Sequence, residues 1–152
     1  MKKIKSSEYI SVAEVSDELS IPVDQFSARF GIYVIEKGTD QSSVGLEIKS
    51  DYKNPLGAVH GGLITTLIDM AAGVAANSEG DVATTLNMTT HFIKAATESK
   101  ILEATATVMH SGRTTSVYNV TVTDERDRLI AGATVTYFKF GRKWSDQVVT
   151  DS

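Results

Sequence analysis

The chain has 152 residues, a formal net charge of −4 and no cysteine. That length suits a single domain with a core large enough to need no disulfide or metal staple, and the missing cysteine excludes thiol nucleophiles, Cys-ligated zinc and iron–sulfur clusters. Mild acidity argues against nucleic acid as a partner, and the 3 histidines form no close pair that would suggest a metal site. The basic start Met1-Lys2-Lys3-Ile4-Lys5 runs into polar Ser6-Ser7-Glu8 where a secretory leader would need an apolar stretch. The longest charge-free run, Asn54 to Ile68, is 15 residues and contains Pro55 and three glycines, so no membrane span is expected. The expectation is a soluble cytoplasmic protein.

In chain order, Ser11-Val12-Ala13-Glu14 has capping-box spacing and predicts a short helix ending before Pro22. Phe30–Glu36 and Ser43–Lys49 read as strands joined by a turn at residues 37–40. Gly61–Asn77 is the one long helical segment. Four strands follow at about Ala83–Ile93, Lys100–His110, Thr114–Thr123 and Leu129–Phe140. The connections Ser111-Gly112-Arg113 and Asp124-Glu125-Arg126-Asp127 are short enough for hairpins. Alternation supports these strands, with Tyr118, Val120 and Val122 on one face and Asn119, Thr121 and Thr123 on the other. Hairpin-linked strands are antiparallel, so the fold class is α+β: one helix against one large antiparallel sheet. Residues 1–29 form a lead-in with a short helix, 30–141 the domain, and 142–152 a polar tail. Lys2, Lys3 and Lys5 read as a solvated terminus, and Trp144 receives no role.

Charge is unevenly distributed. Between Asn54 and Thr123 only Asp69, Glu79, Asp81, Lys94, Glu98, Lys100, Glu103 and Arg113 are charged, which implies an interior and a surface covered by another subunit. On the helix, Leu63, Leu67, Met70 and Val74 share a stripe at about 100° per residue, flanked by Ile64, Ile68, Ala71 and Ala75. The opposite stripe is Thr65, Asp69, Ala72 and Ala76. A helix this apolar all round is wrapped by protein, and one sheet curling around it would do that.

Asp69 is therefore the residue that composition does not explain. A carboxylate in a buried helix is costly unless it is hydrogen-bonded or neutralised; it either reaches a rim or does chemistry. Asn54-Pro55-Leu56-Gly57-Ala58-Val59-His60-Gly61-Gly62 runs directly into the helix. Tandem glycine there lets a ligand approach unpaired amides at the positive end of the dipole, a place suited to an oxyanion. The bland reading is a glycine turn that starts a helix.

Asn54–x5–His60-Gly61-Gly62–x6–Asp69, followed by Met70-Ala71-Ala72-Gly73, resembles the signature of hot-dog-fold acyl-CoA thioesterases. The branch it is most similar to is the phenylacetate-pathway (PaaI-like) family, which includes the mammalian thioesterase-superfamily member 2 proteins. The resemblance extends over roughly Phe30 to Phe140. It implies a central helix wrapped by a curved antiparallel sheet, and hydrolysis of acyl-CoA to a carboxylic acid and coenzyme A. Asp69 is then the catalytic carboxylate, as general base or as nucleophile. The Gly61 amide polarises the thioester carbonyl, Asn54 positions thioester or water, and His60 shapes the turn. A hydroxyl early in the next strand falls on Thr84, with Thr85 adjacent. Gly62, Thr85, Arg113 and Thr114 are implied contacts to substrate, Arg113 and Thr114 in the turn that relatives place near coenzyme A phosphates. His91 and His110 read as packing or rim residues. No cofactor is expected beyond the coenzyme A of the substrate. Expected partners are acyl-CoA and further copies of the chain, in a homodimer or homotetramer with shared active sites, with no nucleic acid or membrane. The alternatives are a non-catalytic acyl-CoA-binding hot-dog protein, and a hot-dog dehydratase, whose His-to-acid spacing fits less well.

Overall fold

The structure is a computed structural model in which residues 9–19 and 24–146 are described; Lys2, Lys3, Lys5, Pro22 and the tail beyond residue 146 lie outside them. At the amino end, β1 (Ile10–Ser11) leads into α1 (Val12–Leu19). The capping box forms as read: Ser11 Oγ accepts from the Glu14 amide at 3.1 Å and Glu14 Oε2 accepts from the Ser11 amide at 2.8 Å. A second helix, α2 (Gln25–Arg29), was not foreseen. Asp24 caps it, accepting from the amides of Phe26 and Ser27 and from Ser27 Oγ. Phe30 belongs to the end of that helix and Gly31 follows at φ +74°, so β2 (Tyr33–Glu36) begins three residues later than the apolar run suggests.

The remaining strands and α-helix are β3 (Gln41–Glu47), α3 (Gly61–Asn77), β4 (Asp81–Phe92), β5 (Ile101–Ser111), β6 (Thr115–Asp124) and β7 (Leu129–Lys143), with short 3-10 turns at Ser50–Tyr52 and Trp144–Asp146. The strands form one antiparallel sheet in the order β1-β2-β3-β5-β6-β7-β4. The long helix carries the chain from β3 across the sheet to its far edge, where β4 pairs with β7 rather than with its sequence neighbour β5. α3 packs against five strands, β3 through β7. Among the described residues no helix is long and apolar enough to cross a membrane.

The period of two on each strand builds the surface that meets the helix. Val34, Val44, Ala104, Val122 and Ala131 are register partners in one row across five strands, and all are fully buried. Facing them, Leu67, Ile68, Ala71 and Ala72 of α3 are also fully buried. Each large apolar side chain removed from water in this way contributes roughly 1.5–3 kcal/mol. Alanines on both surfaces let helix and sheet approach closely, and Ser42 Oγ on β3 donates to the Ala71 carbonyl within that contact.

The carboxyl end is better anchored than a polar tail would be. Trp144 donates its backbone N–H to the Gly80 carbonyl at 2.9 Å and its indole N–H to Asn77 Oδ1 at 3.0 Å. Asn77 donates to the Gly73 carbonyl, so Trp144, left without a role by the sequence, clamps the end of α3.

Asp124 organises the β6–β7 hairpin. Its Oδ2 accepts from Ser99 Oγ at 2.9 Å and Arg128 Nε at 2.8 Å, and its Oδ1 accepts from the amides of Arg126 and Arg128, each at 3.0 Å. Burial alone would push this carboxyl up; the bonds from Arg128, Ser99 and Arg126 outweigh it and hold the carboxyl at about 2. A carboxyl lowered on folding stabilises the native state above its unfolded value, about 3.9, and the contribution disappears as pH falls through about 2. The Tm gap between wild type and Asp124→Asn is therefore expected to be constant from pH 7 to about 5 and to close on acidification toward pH 2. Thermal unfolding of both proteins across that range checks this.

Candidate active site

The loop before α3 is shaped by its own polar groups. Asn54 Oδ1 accepts from the amides of Leu56 at 3.0 Å and Ala58 at 3.2 Å, and Gly57 closes the turn at φ +79°. Val59 donates to the Ala96 carbonyl, which ties the loop to the segment after β4, and His60 donates to the Tyr52 carbonyl, which ties it to the turn that precedes it. His60 is the N-cap of α3, and its Nδ1 accepts from the Gly62 amide at 3.0 Å. The imidazole proton of the neutral ring is then on Nε2. The Leu63 and Ile64 amides bond to the His60 carbonyl.

These bonds leave the Gly61 amide as the first-turn donor without an acceptor among the described residues. Gly61 lines a cavity of about 260 Å³ with Asn54, Ala58, Ile64, Phe92 and Lys94. A Cβ at Gly61 would lie 3.3 Å from the Phe92 ring, so glycine keeps the approach to this amide open. The amide sits at the positive end of the helix dipole and can stabilise developing negative charge on an oxygen. The Gly62 amide is occupied by His60, and the side-chain oxygen of Asn54 by loop amides. Both residues therefore support the turn; Asn54 retains Nδ2 as a donor.

Asp69, two turns further along α3, is partly buried. Its Oδ1 accepts from Thr85 Oγ1 at 2.6 Å and from the Tyr137 hydroxyl at 2.9 Å. The same tyrosine hydroxyl lies 2.9 Å from the Asp69 carbonyl oxygen. Oδ2 receives no hydrogen bond among the described residues. Thr85 and Tyr137 are register partners on β4 and β7, which sets both side chains toward the helix. Thr84, the expected hydroxyl, pairs with Phe138 on the opposite face and is exposed. The correction follows from the period of two in a strand: adjacent threonines cannot both face the helix. Burial and the adjoining carboxylate push the Tyr137 phenol well above its ordinary value, so it remains a protonated donor.

Arg113 and Thr114 occupy the exposed tip of the β5–β6 hairpin. Lys139 donates to Ser111 Oγ at 2.8 Å and to the Gly112 carbonyl at 2.9 Å, which places a second cation beside the turn. The tip lies at the Tyr137 end of the sheet, because Thr115 pairs with Phe138 and Ser116 with Tyr137. His91 and His110 are both exposed. Among the described residues no cluster of His, Asp and Glu is arranged to hold a metal.

Two groups are thus assembled and kept apart. Asp69, Thr85 and Tyr137 meet at the middle of the helix, with the Arg113 hairpin on the same side. Asn54, His60, Gly61 and Gly62 meet at its amino end. A step of eight residues along the helix takes Gly61 to Asp69, about 12 Å along the axis, so within one chain the carboxylate and the free amide do not reach one carbonyl. The sequence reading missed Tyr137, and it quoted Gly73 in the motif without giving it a role. A signal existed for the tyrosine: in the alternation of β7 it follows inward-facing Val135, and a buried phenol needs a hydrogen-bond partner.

Residues 56–131 match the thioesterase superfamily model. The chain is 28% identical over 108 residues to the acyl-coenzyme A thioesterase PaaI of Escherichia coli, an alignment covering 71% of this chain and 77% of that protein. The solved structure of E. coli PaaI superposes with a TM-score of 0.76 at 25% identity, covering 87% of this chain and 93% of the other. A hypothetical thioesterase protein from Streptococcus pneumoniae solved with coenzyme A gives a TM-score of 0.74 at 27% identity, covering 84% of this chain and 98% of the other. The helix wrapped by a seven-stranded antiparallel sheet is the hot-dog fold. By that match and by its architecture, the chain belongs to the thioesterase superfamily.

Proposed function

We propose that the protein hydrolyses acyl-CoA thioesters, converting acyl-CoA and water to a carboxylic acid and coenzyme A. The observation that carries this reading is Asp69: a lone carboxylate on a helix without a basic residue, held through Oδ1 and open at Oδ2. Oδ2 takes a proton from water as the oxygen attacks the thioester carbon. The carbonyl oxygen gains the negative charge and accepts a hydrogen bond from a Gly61 amide. Collapse of the tetrahedral intermediate breaks the C–S bond, and the proton held by Asp69 passes to the departing sulfur. A thioester lacks the resonance of an ester or amide, so a base and a well-aimed amide suffice, and the sequence of steps needs no cofactor. The cytoplasm, where thiols stay reduced, suits a reaction that releases free coenzyme A.

A hydrolysis screen over acyl-CoA substrates with a thiol-reactive dye tests the reading. Asp69→Asn keeps the side-chain volume and loses the base. It is expected to lower kcat roughly 10²–10⁴-fold while thermal unfolding stays within a few degrees of wild type.

The two half-sites are proposed to meet across a two-fold axis. β4 is the edge strand of the sheet, and its run from Val82 to Phe92 contains neither proline nor a Lys, Arg, Asp or Glu that would discourage pairing. Leu86 and Phe92 on it are 60% and 56% exposed. Antiparallel pairing of two β4 strands about a point between Met88 and Thr89 sets Thr85 of one copy opposite Phe92 of the partner subunit. That carries the Asp69 end of one chain toward the Gly61 end of the other, in a dimer or a tetramer of paired dimers. Random mixing of an Asp69→Asn protein with a Gly61→Val protein should then restore about a quarter of wild-type activity, from heterodimers with one intact site. Recovery at the level of the two variants assayed separately would overturn the shared site.

Arg113 is proposed to bind a phosphate of coenzyme A. Such a contact is similar in ground and transition states, so its loss acts mainly on binding. Arg113→Ala should raise KM for acyl-CoA with little change in kcat, and should leave hydrolysis of the matching acyl-pantetheine unchanged. Steady-state kinetics with the two substrates decides this.

A further inference from the structure

Tyr137 and Gly73 form a pair around Asp69. The phenol is 5% exposed, with the Tyr118 ring edge-on at 6.2 Å, so packing fixes where its hydroxyl sits. That hydroxyl has a single proton and lies 2.9 Å from both Asp69 Oδ1 and the Asp69 backbone carbonyl. Gly73 lies one helical turn beyond Asp69 on the same face. A Cβ built there would stand 2.8 Å from the Tyr137 hydroxyl oxygen. Glycine is a poor residue for a helix interior, lowering its propensity relative to alanine, and here it makes the space that the hydroxyl occupies.

We propose that Tyr137, seated in the gap left by Gly73, is a positioning residue for Asp69: it anchors Oδ1 and the adjacent backbone together so that Oδ2 is the oxygen presented to water. The inference rests on the hydrolytic reading above and adds to it which groups orient the carboxylate. An unanchored Asp side chain rotates about two torsions; one bond to Oδ1 from Thr85 limits this rotation, and a second, from a rigid aromatic, removes the exchange of the two oxygens. Tyr137 also bridges side chain and main chain of the same residue, so the anchor moves with the helix. The titratable groups that meet here are Tyr137 from β7 and, behind it, Tyr118 from β6. β4 supplies the hydroxyl of Thr85, and α3 contains no second charge.

Tyr137→Phe removes the hydroxyl and keeps the ring, so the packing survives. With the intact oligomer and an acyl-CoA from the screen, kcat is expected to fall about 10- to 100-fold, the size of effect that misorientation of a reacting group produces, with KM changed less than about twofold. Gly73→Ala, which displaces the hydroxyl without removing it, should reproduce the fall in kcat at nearly unchanged KM. In the Tyr137→Phe background Gly73→Ala should add little, since the two substitutions remove the same bond. Wild-type kcat in Tyr137→Phe would overturn the positioning role while leaving the hydrolytic reading intact. So would a loss of kcat that tracks a lower Tm, or one matched by an equal rise in KM. Full activity in Asp69→Asn would instead overturn the hydrolytic reading and the positioning role with it.

Discussion

Everything in this molecule is referred to the contact between α3 and the concave face of the sheet. The helix contributes leucine, isoleucine, valine and alanine around most of its circumference, and the strands answer with rows of valine and alanine. Because small residues lie on both sides, the backbones approach closely and the packing has little freedom to slide. A side chain on α3 therefore has a fixed address relative to β4 and β7. That is why one carboxylate on this helix can meet a threonine from one strand and a tyrosine from the next without help from a flexible loop.

The same helix separates two kinds of electrostatics. Its first turn offers an unpaired amide at the positive end of a dipole, held by a loop that Asn54 and His60 tie down from within. Its middle offers a carboxylate whose Oδ1 accepts two hydrogen bonds and whose Oδ2 accepts none among the described residues. A thioester carbonyl undergoing attack needs both, one on its oxygen and one near the nucleophile. The rise of an α-helix keeps them too far apart in a single chain, and the edge strand β4, without Lys, Arg, Asp or Glu from Val82 to Phe92, runs beside both.

Legibility from sequence was uneven, and the causes can be named. The long helix has the bounds read from it, Gly61–Asn77, because tandem glycine and an apolar run that ends in Asn77-Ser78 mark both ends. The four later strands lie within about three residues of their expected limits, since alternation and short turns are local signals. α2 was lost because five residues cannot show a helical period, leaving Asp24 as the sole local cue. Among site residues, Asp69 stood out as a charge where burial forbids one, and Gly61 as half of a glycine pair at a helix start. The hydroxyl expected at Thr84 comes instead from Thr85, because a one-residue choice of face is decided by register with β7 and by the irregularity after Thr85.

The amino-acid sequence by itself determined the class of fold, the central helix, the antiparallel pairing of its hairpins and the oddity of Asp69, all of which depend on neighbours close along the chain. Only the tertiary structure decided that β4 lies at the far edge beside β7, that Thr85 rather than Thr84 meets the carboxylate, that Tyr137 reaches it from 68 residues away, and that Gly73 is small for the sake of that tyrosine. Each of these is a contact between segments distant in sequence, set by how the helix crosses the sheet, and no local pattern of hydrophobicity or turn chemistry encodes that crossing.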